Sequence, residues 1–155
     1  MRKIPRTILI ICTVLTLLFI WVQSVLPGDI SSQQSGFVMG IVRPFLELFT
    51  GKGNVTEHLV RKLAHFTEFS VLGVENGFIF GIYIRNRSLN AWTALLKAVA
   101  SCALAAFIDE TIQVFSGRGP AITDVWIDTA GALLGAAIVL LVISLTEKGR
   151  EANEK

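Results

Sequence analysis

At 155 residues, 52% of them hydrophobic and 17% charged, the chain has room for one domain at most and is more apolar than an ordinary soluble one. Mean hydropathy is +0.61, and several apolar runs of about 20 residues are long enough to cross a bilayer as helices. The net charge of +2 points to no nucleic-acid partner, and Cys12 and Cys102 lie inside apolar runs without the spacing of a metal site or a disulfide framework.

The first span covers residues 8–26, behind Arg2, Lys3 and Arg6. Its apolar run is longer than that of a signal peptide and no small-x-small cleavage site follows, so a retained helix is expected. Pro27-Gly28-Asp29 ends it, and a polar stretch follows over 30–36. Phe37, Val38, Ile41, Val42, Phe45, Leu46 and Phe49 then recur at roughly helical spacing in a run too short to span and interrupted by Pro44. This pattern predicts a broken amphipathic helix in the outer headgroup region, either a lid over the bundle or an inert connector.

Asn54 with Glu57 three positions later predicts the start of a second span over 58–84, with Asn54 as the cap. Gly73, Gly77 and Gly81 form a small-x-x-x-small stripe within it, which allows close helix approach. A third span is expected over 89–115 and a fourth over 124–145, where Gly131 and Gly135 repeat the small-residue spacing. Residues 146–155 read as a charged, frayed cytoplasmic tail. The expected fold is all-α: one polytopic membrane domain over 1–155, with four transmembrane helices and an interfacial helix in the first outer loop. Basic residues before the first span, in the 85–88 loop and in the tail place both termini in the cytoplasm.

Ionisable residues within spans are costly and normally turn toward partners inside a bundle. Arg61, His65, Glu68 and Glu75 share one face of the second span, with Lys62 at its border. Counted from the helix ends, His65, Glu68, Asp109 and Asp128 reach one level in the outer third of the membrane, with Glu110, Gln113, Arg118 and Asp124 close by. Glu75 and Lys97 fall at a common, deeper level and are expected to face each other as a structural ion pair, or else Lys97 snorkels inward.

The outer cluster reads either as helix glue or as a working site. Arg61, Lys62 and Arg118 against Glu68, Asp109, Glu110, Asp124 and Asp128 is more acid than pairing needs, which favours a site holding protons, a cation or a cationic group. His65 is a candidate acid or base with Glu68 one turn away, or a histidine that bonds across helices. His65 with Glu68, Asp109 and Asp128 also offers ligands for a divalent cation, but no motif specifies a metal.

Lys62-x-x-His65-Phe66-x-Glu68-Phe69-x-x-Leu72-Gly73 resembles the first signature of the VanZ-like membrane protein family. Asp109-Glu110-x-x-Gln113-x-Phe115-x-x-Arg118, continuing to Asp124-x-x-x-Asp128-x-x-Gly131-x-x-x-Gly135, resembles the second, and Ser31-Ser32-Gln33 after a Trp-containing helix is similar too. Asp128 departs from the pattern, where the family often carries Asn. The resemblance implies a small bacterial plasma-membrane protein associated with tolerance of teicoplanin-like glycopeptides or of lipopeptides, with no established reaction. His65, Glu68, Asp109, Glu110 and Asp128 are then the candidate catalytic set, and Lys62, Gln113, Arg118 and Asp124 the substrate-binding set. The expected partners are membrane lipids, a lipid-linked cell-wall precursor or a lipoglycopeptide.

Overall fold

The computed structural model describes residues 5–117, 119 and 121–153. They form five helices: α1 (Arg6–Val25), α2 (Gly28–Thr50), α3 (Glu57–Arg85), α4 (Ala91–Phe115) and α5 (Ile122–Asn153). There is no strand among the described residues. Three helices are long and apolar enough to cross a membrane: α1, α4 and α5 up to Arg150, at mean hydropathies of 2.5, 1.8 and 2.3. On α1, Ile11, Leu15, Phe19 and Val22 point outward at 53–60% exposure, as a lipid-facing surface requires. The 29-residue α3 is long enough to span but carries too many ionisable side chains to match their hydropathy.

Helix α3 is the centre of the bundle, packing on all four others, and its contact with α5 is the most extensive. Small residues make that closeness attainable. A Cβ added at Gly73 would strike the Ala132 carbonyl, and one at Gly135 would strike the Ser70 carbonyl. The stripes read from the sequence thus face each other, backbone against backbone. Phe69, Leu72, Ile20, Cys102, Ala105, Ala106 and Ala132 complete the buried core where α1 and α4 close over this pair.

The structure corrects several boundaries. Leu26 is extended, as a residue before proline must be, but the next helix begins at once at Gly28 instead of after a polar loop. Helix α2 also runs unbroken through Pro44. Pro44 displaces the carbonyl of Gly40, and both residues are exposed, so that carbonyl can be solvated from outside the bundle. The expected polar break is therefore absent. Glu47 closes the far end of α2: it accepts hydrogen bonds from Arg43 (2.9 Å) and the Gly53 N–H (3.1 Å), and these hold its carboxyl below the usual range.

Helix α3 is capped by Thr56, whose hydroxyl accepts from the Leu59 N–H at 3.2 Å. Asn54 is not the cap; its amide donates to the Thr50 carbonyl at 2.6 Å, tying down the turn instead. The tail does not fray at 146 but continues α5 to Asn153. Glu147 supports this extension, pairing with Arg150 one turn on (3.3 Å) and with Arg85 at the end of α3 (3.9 Å).

Candidate functional site

Three helices each present two side chains about one turn apart: Lys62 and His65 on α3, Asp109 and Gln113 on α4, Asp124 and Asp128 on α5. Side chains at i, i+3 and i, i+4 stack along one helix face, so the three pairs build two tiers. In the outer tier, Lys62 Nζ meets Asp124 Oδ1 at 2.9 Å, with both side chains about a quarter exposed. In the inner tier, His65 Nδ1 lies 3.8 Å from Asp109 Oδ2 and 3.9 Å from Asp128 Oδ2. Asp109 and Asp128 are both fully buried.

The tiers are connected. Gln113 Nε2 donates to Asp109 Oδ2 at 2.9 Å, fixing that carboxylate from the tier above. Glu110, also buried, accepts from the Ala121 N–H at 2.9 Å and ties the end of α4 to the start of α5. Glu68 is half-buried one turn further along α3, within electrostatic reach of Asp128. Arg118 lies outside the described residues. Between the tiers is a cavity of about 10 Å³, room for the centre of a single water-sized body, lined by Arg61, Lys62, His65, Glu110, Gln113 and Asp128, among others.

One ligand atom from each of His65, Asp109 and Asp128 lies within 4.8 Å of the other two. Two carboxylate charges at that separation repel by about 3 kcal/mol at an effective dielectric constant near 20. Positive charge is needed at the centre of the inner tier, and Lys62 is already engaged by Asp124. The arrangement can bind a cation or hold a proton between acids, with basic side chains at its mouth for an anion.

The expected Glu75–Lys97 pair is not formed. Glu75 Oε1 accepts from Thr16 of α1 at 2.9 Å, while Lys97 is exposed. Burial favours the shorter reach: a threonine facing α3 satisfies the carboxyl without bringing a strongly hydrated ammonium into the bundle. Thr16 stands ten residues beyond Arg6, the depth of Glu75 counted from Arg85. The sequence thus carries the signal for this contact in the register of α1 against α3. A second polar contact, Ser101 to Asn76 Oδ1 at 3.1 Å, joins α4 to α3 and had no flag beyond a lone asparagine in an apolar run.

An all-helical bundle with lipid-length apolar helices around a buried acid–histidine centre defines a helical membrane protein with an internal polar site. The chain matches the VanZ/LLP1 family model over residues 8–143 and belongs to that family. No curated protein and no solved structure matches it.

Proposed function

We propose that the two-tiered centre is an outward-facing intramembrane site that receives the anionic headgroup of an envelope lipid or lipid-linked cell-wall component. The observation that carries this reading is the convergence of α3, α4 and α5 on one cavity with Arg61 and Lys62 in its lining. The cavity itself admits only a water-sized body, so the headgroup docks at the mouth. There basic side chains hold a phosphate or carboxylate through charge-assisted hydrogen bonds. Lys62 trades Asp124 for the ligand, and Gln113 completes the contact. His65 then gives or takes a proton, with Glu68 and the carboxylates of Asp109, Glu110 and Asp128 setting its charge.

In this reading α3 is a fourth span alongside α1, α4 and α5, both termini are cytoplasmic, α2 lies in the outer interface, and the membrane is the bacterial plasma membrane. Occupying or altering a wall-precursor lipid changes access for glycopeptides such as teicoplanin and for lipopeptides, which gives the protein its place in antibiotic tolerance. A second reading, headgroup binding or transport without a reaction, is favoured by the tightness of the cavity.

Comparing lipid and wall-precursor pools in cells carrying wild-type protein, His65→Gln or no protein decides between them. Catalysis predicts one pool shifted by the wild type alone. Tolerance retained in His65→Gln with pools unchanged assigns binding. Unchanged pools and unchanged teicoplanin and lipopeptide susceptibility under full expression overturn both.

A further inference from the structure

We infer that His65, Asp109 and Asp128 form a binding site for one divalent transition cation, of the Mn²⁺ or Zn²⁺ kind. Each residue offers one ligand atom, and all three atoms lie within 4.8 Å of one another. Bonds of about 2.0–2.2 Å to a common ion set ligand atoms roughly 3–3.5 Å apart. His65 Nδ1 is already 3.8 and 3.9 Å from its two carboxylate neighbours, so closure onto an ion asks for shifts of well under an ångström on these two edges.

A second observation points to the ligand independently of this clustering. The Asp128 side chain is 1% exposed and its Oδ2 points at His65 Nδ1. Neither of its oxygens takes a hydrogen bond among the described residues, nor does Oδ1 of Asp109. Buried carboxylate oxygens are seldom left so, because water had solvated them in the unfolded chain. A protonated imidazole does not repair the deficit, since one N–H reaches one carboxylate at a time. A cation at the centre meets all three ligand atoms at once. Two carboxylates and a neutral imidazole around a divalent ion also sum to no net charge, the cheapest state for a buried centre.

The remaining features suit a metal site. Gln113 donates to Asp109 Oδ2 at 2.9 Å, the outer hydrogen bond that fixes a carboxylate ligand's orientation. The cavity beside His65 and Asp128 has room for one water-sized ligand, leaving an open coordination position toward the mouth. One nitrogen and two oxygens fit Mn²⁺ or Zn²⁺ better than Ca²⁺, which takes oxygen ligands throughout. The site shares its cavity with the proposed headgroup site but does not depend on what the mouth receives.

The test needs no lipid substrate, so its failure is separate from failure of the function proposed above. Full-length protein and Asp128→Asn, purified in detergent and stripped with chelator, are titrated with Mn²⁺ followed by electron paramagnetic resonance and with Co²⁺ followed by visible absorption. The wild type should bind a single ion per chain, and Asp128→Asn should bind at least about tenfold more weakly. His65→Gln should change the Co²⁺ spectrum by removing its nitrogen ligand. Absence of saturable binding by the wild type at millimolar metal, or equal affinities in wild type and Asp128→Asn, overturns the inference. Should Asp128→Asn not survive purification, the wild-type titration and the His65→Gln spectrum decide alone.

Discussion

Glu75 shows how a membrane interior chooses a partner for a carboxyl group. Thr16 reaches it at 2.9 Å from α1, while its other oxygen takes no hydrogen bond among the described residues. Removing the donor leaves a half-buried acceptor unmet, and such losses run to about 1–3 kcal/mol. Thr16→Val keeps the shape and should destabilise the protein by that amount in a detergent unfolding titration. Lys97→Ala removes an exposed side chain and should move the same midpoint by less than about 0.5 kcal/mol. A larger loss from Lys97→Ala than from Thr16→Val would restore the ion pair that depth counting suggested. Thr16 on α1 and Lys97 on α4 stand at similar depths beside Glu75, and the uncharged donor with the shorter reach takes the contact.

Among the elements, the α3–α5 pair decides whether the site exists. His65 and Asp128 face each other only because Gly131 and Gly135 let α5 lie against the α3 backbone. A Cβ at Gly135 would meet the Ser70 carbonyl and the Val74 nitrogen, neither of which can turn aside. A Cβ at Gly81 would meet Ile143 Cδ1, the mobile end of a side chain. Both substitutions gain up to about 1 kcal/mol of helix propensity, and overpacking costs about 1–3 kcal/mol where the neighbour cannot move. Gly81→Ala should therefore be close to neutral. Gly135→Ala should lose stability in the same unfolding titration and, by prising the helices apart, weaken any ligand held by His65 and Asp128.

These elements were also the most legible in the sequence. A four-residue glycine period needs no tertiary information to signal close packing, and the His65, Asp109 and Asp128 depths follow from counting along rigid helices. Connections were harder to read. Pro44 and the polar stretch after Pro27 signal a break wherever a helix must be satisfied from within. Helix α2 instead lies outside the bundle, packing chiefly on α3, where an exposed carbonyl carries little cost. The cap at Thr56 and the helical tail likewise depend on neighbours, Leu59 in one case and Arg85 in the other.

At the scale of the molecule, two ion pairs measure the bundle. Lys62 meets Asp124 near the start of α3 and α5, and Arg85 at the end of α3 meets Glu147 in the last third of α5. On both helices the anchors are 23 residues apart, about 35 Å at 1.5 Å per residue and a little more than a hydrocarbon core of roughly 30 Å. The Arg6 guanidinium, 5.5 Å from the centre of the Tyr83 ring, brings the start of α1 to the same end as Arg85 and Glu147. Helix α3 thus runs between the same two levels as α5, despite its lower hydropathy. If both cross the membrane, the residue 51–54 turn shares a side with the Lys62–Asp124 mouth, and residues 86–88 share the other with the start of α1 and the last turns of α5. Single cysteines placed at Lys52, Asn86 and Lys148, in protein whose Cys12 and Cys102 are replaced by serine, read this directly. An impermeant maleimide added to intact cells should label Lys52→Cys alone, with Asn86→Cys and Lys148→Cys reacting only after permeabilisation. Were only α1, α4 and α5 to cross, Lys52 and Asn86 would lie on one side and label together. A mouth opening to the cytoplasm would reverse the pattern, leaving Lys52→Cys protected, and would rule out delivery of the headgroup from the outer leaflet.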